Sequence, residues 1–482
     1  AFAQYVLFGN YNYITPYSYE IVHGIFLSLV VAGLLADWLA RPRWTLAALI
    51  GLGAGLVFLT KPDVFLALAA VLVMAVALHW WEHRGFKAGA KSLAAFGLAA
   101  AAPLLFFFLL FLRVDSWQHS LQYLVFGWVP VFEPAVRNNP FYRSISGLDA
   151  PTVHVRHILT HFLWAILAIA LYAFLFRLLV RWKASLFKWV AWEILILPLC
   201  LWASVFHWQL CGYSLPLWCL IILGLLGYRL ARKDGAAQLT FPFLWTVFAL
   251  FLLAKLGLHP RIWNYGFALA MPAFVATVYF LLWFLPRWLQ NQFQVPTVFF
   301  RATVLVVLWI GYGLLGSASW GFYQHKNDAI STGSNRIISY GPAHEVTWDI
   351  KGALDWVDHN VPANGTLAVL PLGVTLNFLA HRVNPTPCLF WDPNCLAVFG
   401  EAKMTAAFET AAPDYVLLID QDLSGFGCES FGACPGCGAD VMSWIHHNYQ
   451  TAVVIGHDPE QNTGFGIKIL RRSSLAARPP SQ

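Results

Sequence analysis

Apolar segments of membrane-crossing length alternate with short polar loops over the first two thirds of this 482-residue chain. A helix needs about 20 apolar residues to cross a hydrocarbon core roughly 30 Å thick, and ten runs of about 16 to 22 residues come near that length. The pattern therefore predicts an all-α polytopic membrane domain over residues 1–317. Its ten spans are predicted at residues 20–40, 44–60, 63–81, 92–112, 155–175, 188–205, 215–228, 239–256, 267–285 and 300–317.

The composition agrees with this pattern. Hydrophobic residues make up 59% of the chain and charged residues 11%, against about 25% charged in an average globular protein. A soluble fold of this size could not bury so much apolar surface. The net charge of +6 is explained by the loops between spans, so we expect no nucleic-acid partner.

Positive residues are distributed unequally between the two sets of loops, fourteen in one set and seven in the other. The positive-inside rule places the richer set in the cytoplasm, and the even number of spans then places both chain ends outside. The richer set holds Arg41, Arg43, Arg84, Lys87, Lys91, Arg177, Arg181, Lys183, Lys188, Arg229, Arg232, Lys233, Arg287 and Arg301. The other set holds Lys61, Arg113, Arg137, Arg143, Arg156, Lys255 and Arg261.

The beginning of the chain gives a separate expectation. It starts at Ala1, and residues 1–19 show none of the basic, continuous apolar and cleavage-site segments of a signal peptide. We therefore expect an N-terminal part to precede Ala1. If the complete protein starts in the cytoplasm, that part contains an odd number of spans.

The composition changes after Ser317, where turn-forming residues and short apolar runs replace the long segments. This change predicts a small exported α/β domain over residues 318–470, followed by a disordered polar tail at 471–482. Helices are predicted at 348–359 and 443–449, and strands at 366–370, 415–419, 451–455 and 464–470.

Five of the eight cysteines lie in this exported domain: Cys388, Cys395, Cys428, Cys434 and Cys437. An oxidising compartment favours one or two disulfides, whose pairing the sequence leaves open, with one thiol unpaired because five is odd. Cys434 and Cys437 form a CxxC motif. Without a second such motif or a histidine pair nearby, a zinc site is the weaker interpretation, and no metal is assigned.

Ionisable side chains near the outer membrane face are candidates for chemistry, because charges in spans are costly unless they serve a site or form a pair. Glu20 and His23 are three residues apart and would share one helix face, which pairs a carboxylate with an imidazole. The alternative is a helix start in which Glu20 stabilises the first turn, beside tyrosines at the membrane interface.

Lys61 and Asp63 close a tight outer hairpin between two spans. The ammonium group of Lys61 could hold a phosphate. The alternative is that Lys61 pairs with Asp63 next to Pro62, which begins the following helix.

The outer loop from Arg113 to His154 exceeds the usual length of a connector and is rich in aromatic residues, which is typical of a functional segment lying on the membrane. Its charged candidates are Asp115, Glu133, Arg137, Arg143 and Asp149. In another short outer turn, Arg261 would either clamp a diphosphate or anchor a helix end.

Several of these segments resemble the integral-membrane glycosyltransferases of the GT-C superfamily, in particular bacterial protein mannosyltransferases and lipid A aminoarabinose transferase. The segments are residues 10–24, Leu59-Thr-Lys-Pro-Asp63, Asn139-Pro-Phe-Tyr-Arg143 and Ser146-Gly-Leu-Asp149. In the exported part they are Pro362 to Pro371, Asn384-Pro-Thr-Pro387, Pro413-Asp-Tyr-Val416, and Trp444 with Asn448 and Tyr449.

The resemblance implies transfer of a sugar from a polyprenyl-phosphate carrier to a glycan, lipid or protein acceptor, with inversion, at the outer face of a bacterial inner membrane. It implies no further cofactor and leaves a divalent metal open. A carboxylate would deprotonate the acceptor while cations stabilise the departing lipid phosphate. Membrane lipids are further expected partners.

In this superfamily the principal catalytic aspartate follows the first span, a region that would precede Ala1, so the main base is not assigned. Supporting roles fall to Glu20, His23 and Asp63, carrier-phosphate binding to Lys61 and Arg261, and the acceptor loop to Asp115, Arg143 and Asp149. A chain that truly began at Ala1 would bind the carrier without transferring the sugar. The alternative function is a polytopic transporter or lipid flippase, which predicts broken helices and charges at the membrane midplane.

Overall fold

The computed structural model describes residues 18–83, 90–179, 185–205, 208–233, 236–262, 266–341, 344–461 and 463–476. Within these ranges the chain divides into two compact units. The first comprises residues 18–128 and 144–320, and the second comprises residues 129–143 and 321–476.

The first unit is built from long apolar helices. In chain order, the helices up to the middle of the protein are α1 (Tyr19–Ala40), α2 (Trp44–Phe58), α3 (Pro62–His83), α4 (Ala90–Phe111), α5 (Trp117–Val125), α6 (Val129–Phe132), α7 (Pro134–Arg137), α8 (Pro140–Ile145), α9 (Pro151–Leu179) and α10 (Ser185–Val205). Of these, α6, α7 and residues 140–143 of α8 belong to the second unit. They are followed by α11 (Leu215–Ala231), α12 (Ala236–Lys255), α13 (Gly266–Leu269), α14 (Met271–Tyr279), α15 (Leu285–Phe293) and α16 (Thr297–Gln324). A π-helical turn, Phe280–Phe284, joins α14 to α15.

Nine helical segments in the described residues are long and apolar enough to cross a membrane. Large apolar side chains such as Leu98 and Trp309 are exposed on these helices, which is the pattern expected of helices that face lipid. The polytopic all-α prediction is therefore confirmed. The predicted span at 44–60 is the exception in length, because α2 has 15 residues and is shorter than a typical crossing helix.

The core of the first unit lies where α1, α3, α11 and α12 pack together. Residues spaced three or four apart on these helices, including Val64, Leu68, Phe248 and Leu252, are buried there. The predicted outer loop 113–154 is mostly helical, since it contains α5 to α8.

After residues 129–143, the second unit continues with a two-stranded antiparallel hairpin, β1 (Lys326–Ile330) and β2 (Ile337–Tyr340), which the sequence did not predict. After it come α17 (Glu345–Asn360), β3 (Leu367–Leu370), α18 (Val374–Leu379), α19 (Pro393–Phe399), α20 (Glu401–Ala411), β4 (Tyr415–Ile419), α21 (Ala439–Asn448), β5 (Tyr449–Gly456), β6 (Gly466–Arg472) and α22 (Ser473–Ala476).

Strands β3 to β6 form one mixed sheet in the order β3, β4, β6, β5. The β3–β4 pair is parallel, and the other two pairs are antiparallel. Alternate residues face opposite sides, so Val416 and Leu418 pack with α19, α20 and α21 while Tyr415 and Leu417 pack with α17 and α18. Both faces of the sheet are covered, and the predicted small α/β fold is confirmed.

The end of the chain differs from its prediction. The tail was expected to begin at Arg471, but β6 runs through Arg472, because Tyr415 of β4 pairs with Arg471 and Tyr449 of β5 with Arg472. The helical turn α22 follows, and residues 477–482 lie outside the described part.

Candidate functional site

Four charged side chains stand at helix ends where α1, α3 and α12 pack against one another. Glu20 lies in the first turn of α1 and Asp63 in the first turn of α3, positions at which a carboxylate stabilises the helix dipole. Lys255 is the last residue of α12, the favourable end for a cation. Lys61 lies in the short turn before Pro62, which begins α3 with its fixed φ.

The first ion pair joins α1 to the turn between α2 and α3. Lys61 Nζ lies 3.2 Å from Glu20 Oε1, and the Ser18 hydroxyl donates to the same oxygen. Close packing fixes this approach, since a Cβ on Gly24 of α1 would lie 2.6 Å from Thr60 Oγ1. The structure thus brings together two residues that are 41 positions apart and that the sequence had placed in one site.

The second ion pair joins α3 to α12. Lys255 Nζ lies 3.1 Å from Asp63 Oδ1, and the Asp63 side chain is only 13% exposed. Both ion pairs therefore connect different helices, in place of a pairing between Lys61 and Asp63 within one hairpin. Lys255 was not a predicted site residue, although a lysine ending an apolar span is a signal that could have suggested it.

His23 has a different environment from the one expected beside Glu20. Its side chain is exposed on α1, and its ring lies 6.1 Å from that of Tyr19. The carboxylate of Glu20 contacts Lys61 and Ser18. A direct Glu20–His23 dyad stays a prediction.

Asp115 forms a local network at the start of α5. It accepts hydrogen bonds from the Tyr123 hydroxyl, from His119 Nδ1 at 2.9 Å and from the Ser116 N–H at 2.7 Å. The bonds from Tyr123, then His119 and Ser116, lower the pKa of Asp115 to about 2. Its contacts therefore hold α5 in place, and its role toward an acceptor stays a prediction.

A second polar cluster, which we name the histidine cluster, consists of Asp149, His154, Tyr213 and His259. His154 Nε2 lies 3.7 Å from Asp149 Oδ1, and His154 Nδ1 lies 3.4 Å from the Tyr213 hydroxyl. The His154 and His259 rings are 4.7 Å apart between centroids. The sequence singled out Asp149 alone, although His154, His157 and His161 recur at helical spacing along α9.

Backbone contacts hold the histidine cluster together. Leu258 N–H donates to the Ser146 carbonyl at 2.9 Å, and a Cβ on Gly257 would lie 2.5 Å from that oxygen. Gly257 also has φ +61°, a conformation that favours glycine. Burial, with the nearby charges of Arg261 and His154, lowers the pKa of His259 to about 4. His259 is consequently neutral at pH 7.

Arg261 is buried beside this cluster, and its Nη1 donates to the Ile145 carbonyl at 2.8 Å. This contact supports the helix-anchoring alternative for Arg261, and its predicted role as a phosphate clamp stays untested. Arg143 lies in the last turn of α8, in the second unit, and is exposed, whereas Asp115 and Asp149 belong to the first unit. The side chain of Arg137 lies outside the described part.

No family model matches this chain, and a comparison with curated proteins finds no relative. The chemistry of the site is therefore argued from its residues. Two ammonium groups and two carboxylates gathered at neighbouring helix ends can bind an anionic headgroup and accept or orient a proton.

Proposed function

We propose that this protein is a membrane glycosyltransferase of the GT-C type, which moves a sugar from a polyprenyl-phosphate carrier to an acceptor with inversion. The single observation that carries the proposal is the convergence of Lys61 with Glu20 across 41 residues, next to Asp63 and Lys255. The resemblance of the segments around these residues to GT-C enzymes supports it.

The proposed site faces the extracytoplasmic side of a bacterial inner membrane. Support comes from the loop charges, fourteen positive residues on one side against seven on the other. With that orientation, the turn containing Lys61, the end of α12 and the C-terminal unit all lie outside the cytoplasm. A lipid-linked sugar presented in the outer leaflet would then meet Lys61 at the level of the headgroups.

Lys61 and Lys255 would hold the carrier phosphate and stabilise the charge that develops as the glycosidic bond breaks. Glu20 would contact the acceptor or the sugar, and His23 would help to orient it. Glu20 already forms an ion pair with the Lys61 ammonium, so a bound phosphate must share this ammonium with Glu20 or displace Glu20 from it. The principal base, the sugar and the acceptor are left unassigned, as is a need for metal.

Binding of the carrier phosphate provides the first test. Purified protein in detergent is titrated with a polyprenyl phosphate and, separately, with the corresponding polyprenol, which lacks the phosphate. We expect Lys61→Ala to weaken binding of the phosphate about tenfold or more, because a charge-assisted contact is lost, while polyprenol binding is unchanged. Lys351→Ala serves as the matched control. Lys351 is also ion-paired but lies in the second unit, away from the proposed site, so its loss should leave phosphate binding unchanged.

Sugar transfer in membrane vesicles provides the second test. Vesicles that contain the full-length protein and are supplied with lipid-linked sugars should show carrier-dependent glycosylation that Lys61→Ala abolishes or severely reduces. Equal phosphate binding by Lys61→Ala and the unmodified protein would remove Lys61 from the site. Movement of the carrier between leaflets without any transfer would instead support the lipid flippase.

A further inference from the structure

Three cysteines converge in the loop between β4 and α21 of the second unit. Cys428, Cys434 and Cys437 lie in this loop, and their sulfur atoms are all within 4.8 Å of one another. Cys428 and Cys437 are buried against Leu423, and Cys434 packs beside them with Phe426 and Phe431. Two other cysteines of the unit, Cys388 and Cys395, are free thiols in the structure.

A disulfide accounts for only part of this arrangement. The sulfur of Cys428 lies at disulfide-bonding distance from the sulfurs of both Cys434 and Cys437. A sulfur atom joins one disulfide at a time, so any single bridge leaves the third thiol of the group unused. A metal ion, in contrast, binds all three sulfur atoms at once.

The backbone of the loop forms a tight turn around the CxxC motif, between Cys434 and Gly438. In the segment Cys434-Pro-Gly-Cys437-Gly438, the Cys437 N–H donates to the Cys434 carbonyl at 3.1 Å, which closes a turn between the two cysteines. Gly436 and Gly438 have φ +81° and +92°, and a Cβ on Gly438 would lie 2.3 Å from the Phe431 ring. Glycine is therefore required there.

A carboxylate from a neighbouring helix holds this turn. Glu401, at the start of α20, accepts hydrogen bonds from the Gly436 N–H at 2.7 Å and from the Asp440 N–H at 3.0 Å. It thereby fixes the turn on both sides of Cys437. A ligand turn held by a second layer of hydrogen bonds is typical of metal sites.

We propose that Cys428, Cys434 and Cys437 bind a zinc ion through three thiolates. Zinc prefers thiolates in tetrahedral geometry at about 2.3 Å. The three sulfur atoms all lie within 4.8 Å of one another, so they can reach one ion together. Within the described residues the group has these three members, so a water molecule would complete the tetrahedron.

The proposed zinc ion would also stabilise the fold of the loop between β4 and α21. From Asp420 to Gly438 the chain has one short 3₁₀ turn, Ser424–Phe426, as its only regular element, and only a few apolar side chains are buried along it. A loop of this length without its own secondary structure needs another source of order, which a bound metal supplies as folding free energy.

Metal content is the direct test. The full chain is purified in detergent without chelator and under reducing conditions, and its zinc is measured by mass spectrometry of the elements. We expect about one zinc ion per chain, with a fall of at least about fivefold in Cys428→Ser and in Cys437→Ser. Cys388→Ser is the matched control, because it removes a free thiol of the same unit, and it should keep its zinc.

A second readout does not depend on the folding of any variant. Replacement of zinc by Co²⁺ in the unmodified chain should produce the near-ultraviolet absorption of thiolate-bound cobalt. Absence of both zinc and this absorption from the reduced protein would overturn the proposal. So would peptide mapping of protein alkylated in the membrane that finds Cys428 joined in a disulfide to Cys434 or Cys437.

Discussion

Glu20 and the carrier phosphate would compete for one ammonium group, that of Lys61. We expect Glu20→Gln to bind a polyprenyl phosphate about two- to fivefold more tightly, because a partly exposed ion pair is worth up to about 1 kcal/mol. Sugar transfer should fall in the same variant, since the carboxylate is lost from the reaction site. Titration and transfer assays on one preparation measure both quantities.

Glu345→Gln is the matched control, because Glu345 lies in the first turn of a helix in the second unit, as Glu20 does in α1. It should change neither binding nor transfer. Weaker phosphate binding by Glu20→Gln would show that Glu20 supports the Lys61 site instead of competing for it.

His259 should make the first unit sensitive to acid. Its pKa is lowered to about 4, first by burial and then by Arg261 and His154, whereas an unfolded histidine titrates near 6.5. Between these values the unfolded chain binds the proton more strongly, so stability falls as the pH drops from about 6.5 to about 4. The midpoint of thermal unfolding should therefore decrease less on acidification in His259→Gln than in the unmodified protein.

The exposed His447 of α21 provides the control substitution, His447→Gln, for this measurement. If both variants follow the unmodified protein at every pH, protonation of His259 does not limit stability in acid.

At the residue scale, the sequence singled out three of the four side chains that form the two ion pairs, but it did not predict which residues they pair with. Glu20, Lys61 and Asp63 are conspicuous because ionisable residues are few among apolar spans. Their pairing depends on the packing of helices that are distant along the chain. Lys61 lies in the turn before α3 and reaches α1, whereas Asp63 lies in the first turn of α3 and reaches α12.

At the scale of elements, helices α2 and α4 approach each other more closely than ordinary side chains allow. A Cβ on Gly51 or Gly55 would lie 2.2 Å from the carbonyl oxygen of Phe96 or Ala100, respectively. The two glycines are four residues apart and form the small-residue stripe that lets membrane helices touch through their backbones. The shortness of α2 leaves it especially dependent on this contact.

We expect Gly55→Val to destabilise the first unit by about 2 kcal/mol or more, because the clash involves the backbone of α4, which cannot rotate away. Gly97→Ala in α4 is the control, since its Cβ would meet nothing within 4 Å and alanine favours a helix. Thermal unfolding in detergent compares the two. Equal unfolding midpoints would mean that α2 and α4 separate without cost.

Length and apolar character together explain which elements the sequence could predict. The long helices follow from apolar runs that no soluble element matches, and strands β3 and β4 follow from four- and five-residue apolar runs buried on both faces. The hairpin β1–β2 and helices α18 and α19 are only four to seven residues long. Segments so short carry too few periods for a pattern to be recognised.

At the scale of the whole molecule, the sequence placed one domain boundary after Ser317, whereas the second unit also includes residues 129–143 from the middle of the chain. Within that unit the rings of Phe141 and Phe426 stack at 4.7 Å between centroids. Contacts between residues so far apart leave no periodic signal in the chain, so composition alone could not assign the segment.

Orientation in the membrane is the property of the whole molecule on which the proposed chemistry depends. The excess of positive charge in one set of loops predicts that the C-terminal unit lies outside the cytoplasm and that the turn after α11 lies inside. An epitope tag after Gln482 should bind antibody in intact spheroplasts. A tag inserted between Arg232 and Lys233 should bind only after lysis.

Sugar transfer is measured in the tagged cells as a control, because retained transfer shows that the tags have not disrupted the folded protein. The reverse pattern of antibody binding would place Lys61, Asp63 and Lys255 on the cytoplasmic side of the membrane. The reason is that an odd number of membrane crossings separates these residues from the turn after α11. An exported carrier phosphate could not then reach them. The proposed function would fail on that result, whereas the zinc site, which rests on contacts within the second unit, would stand.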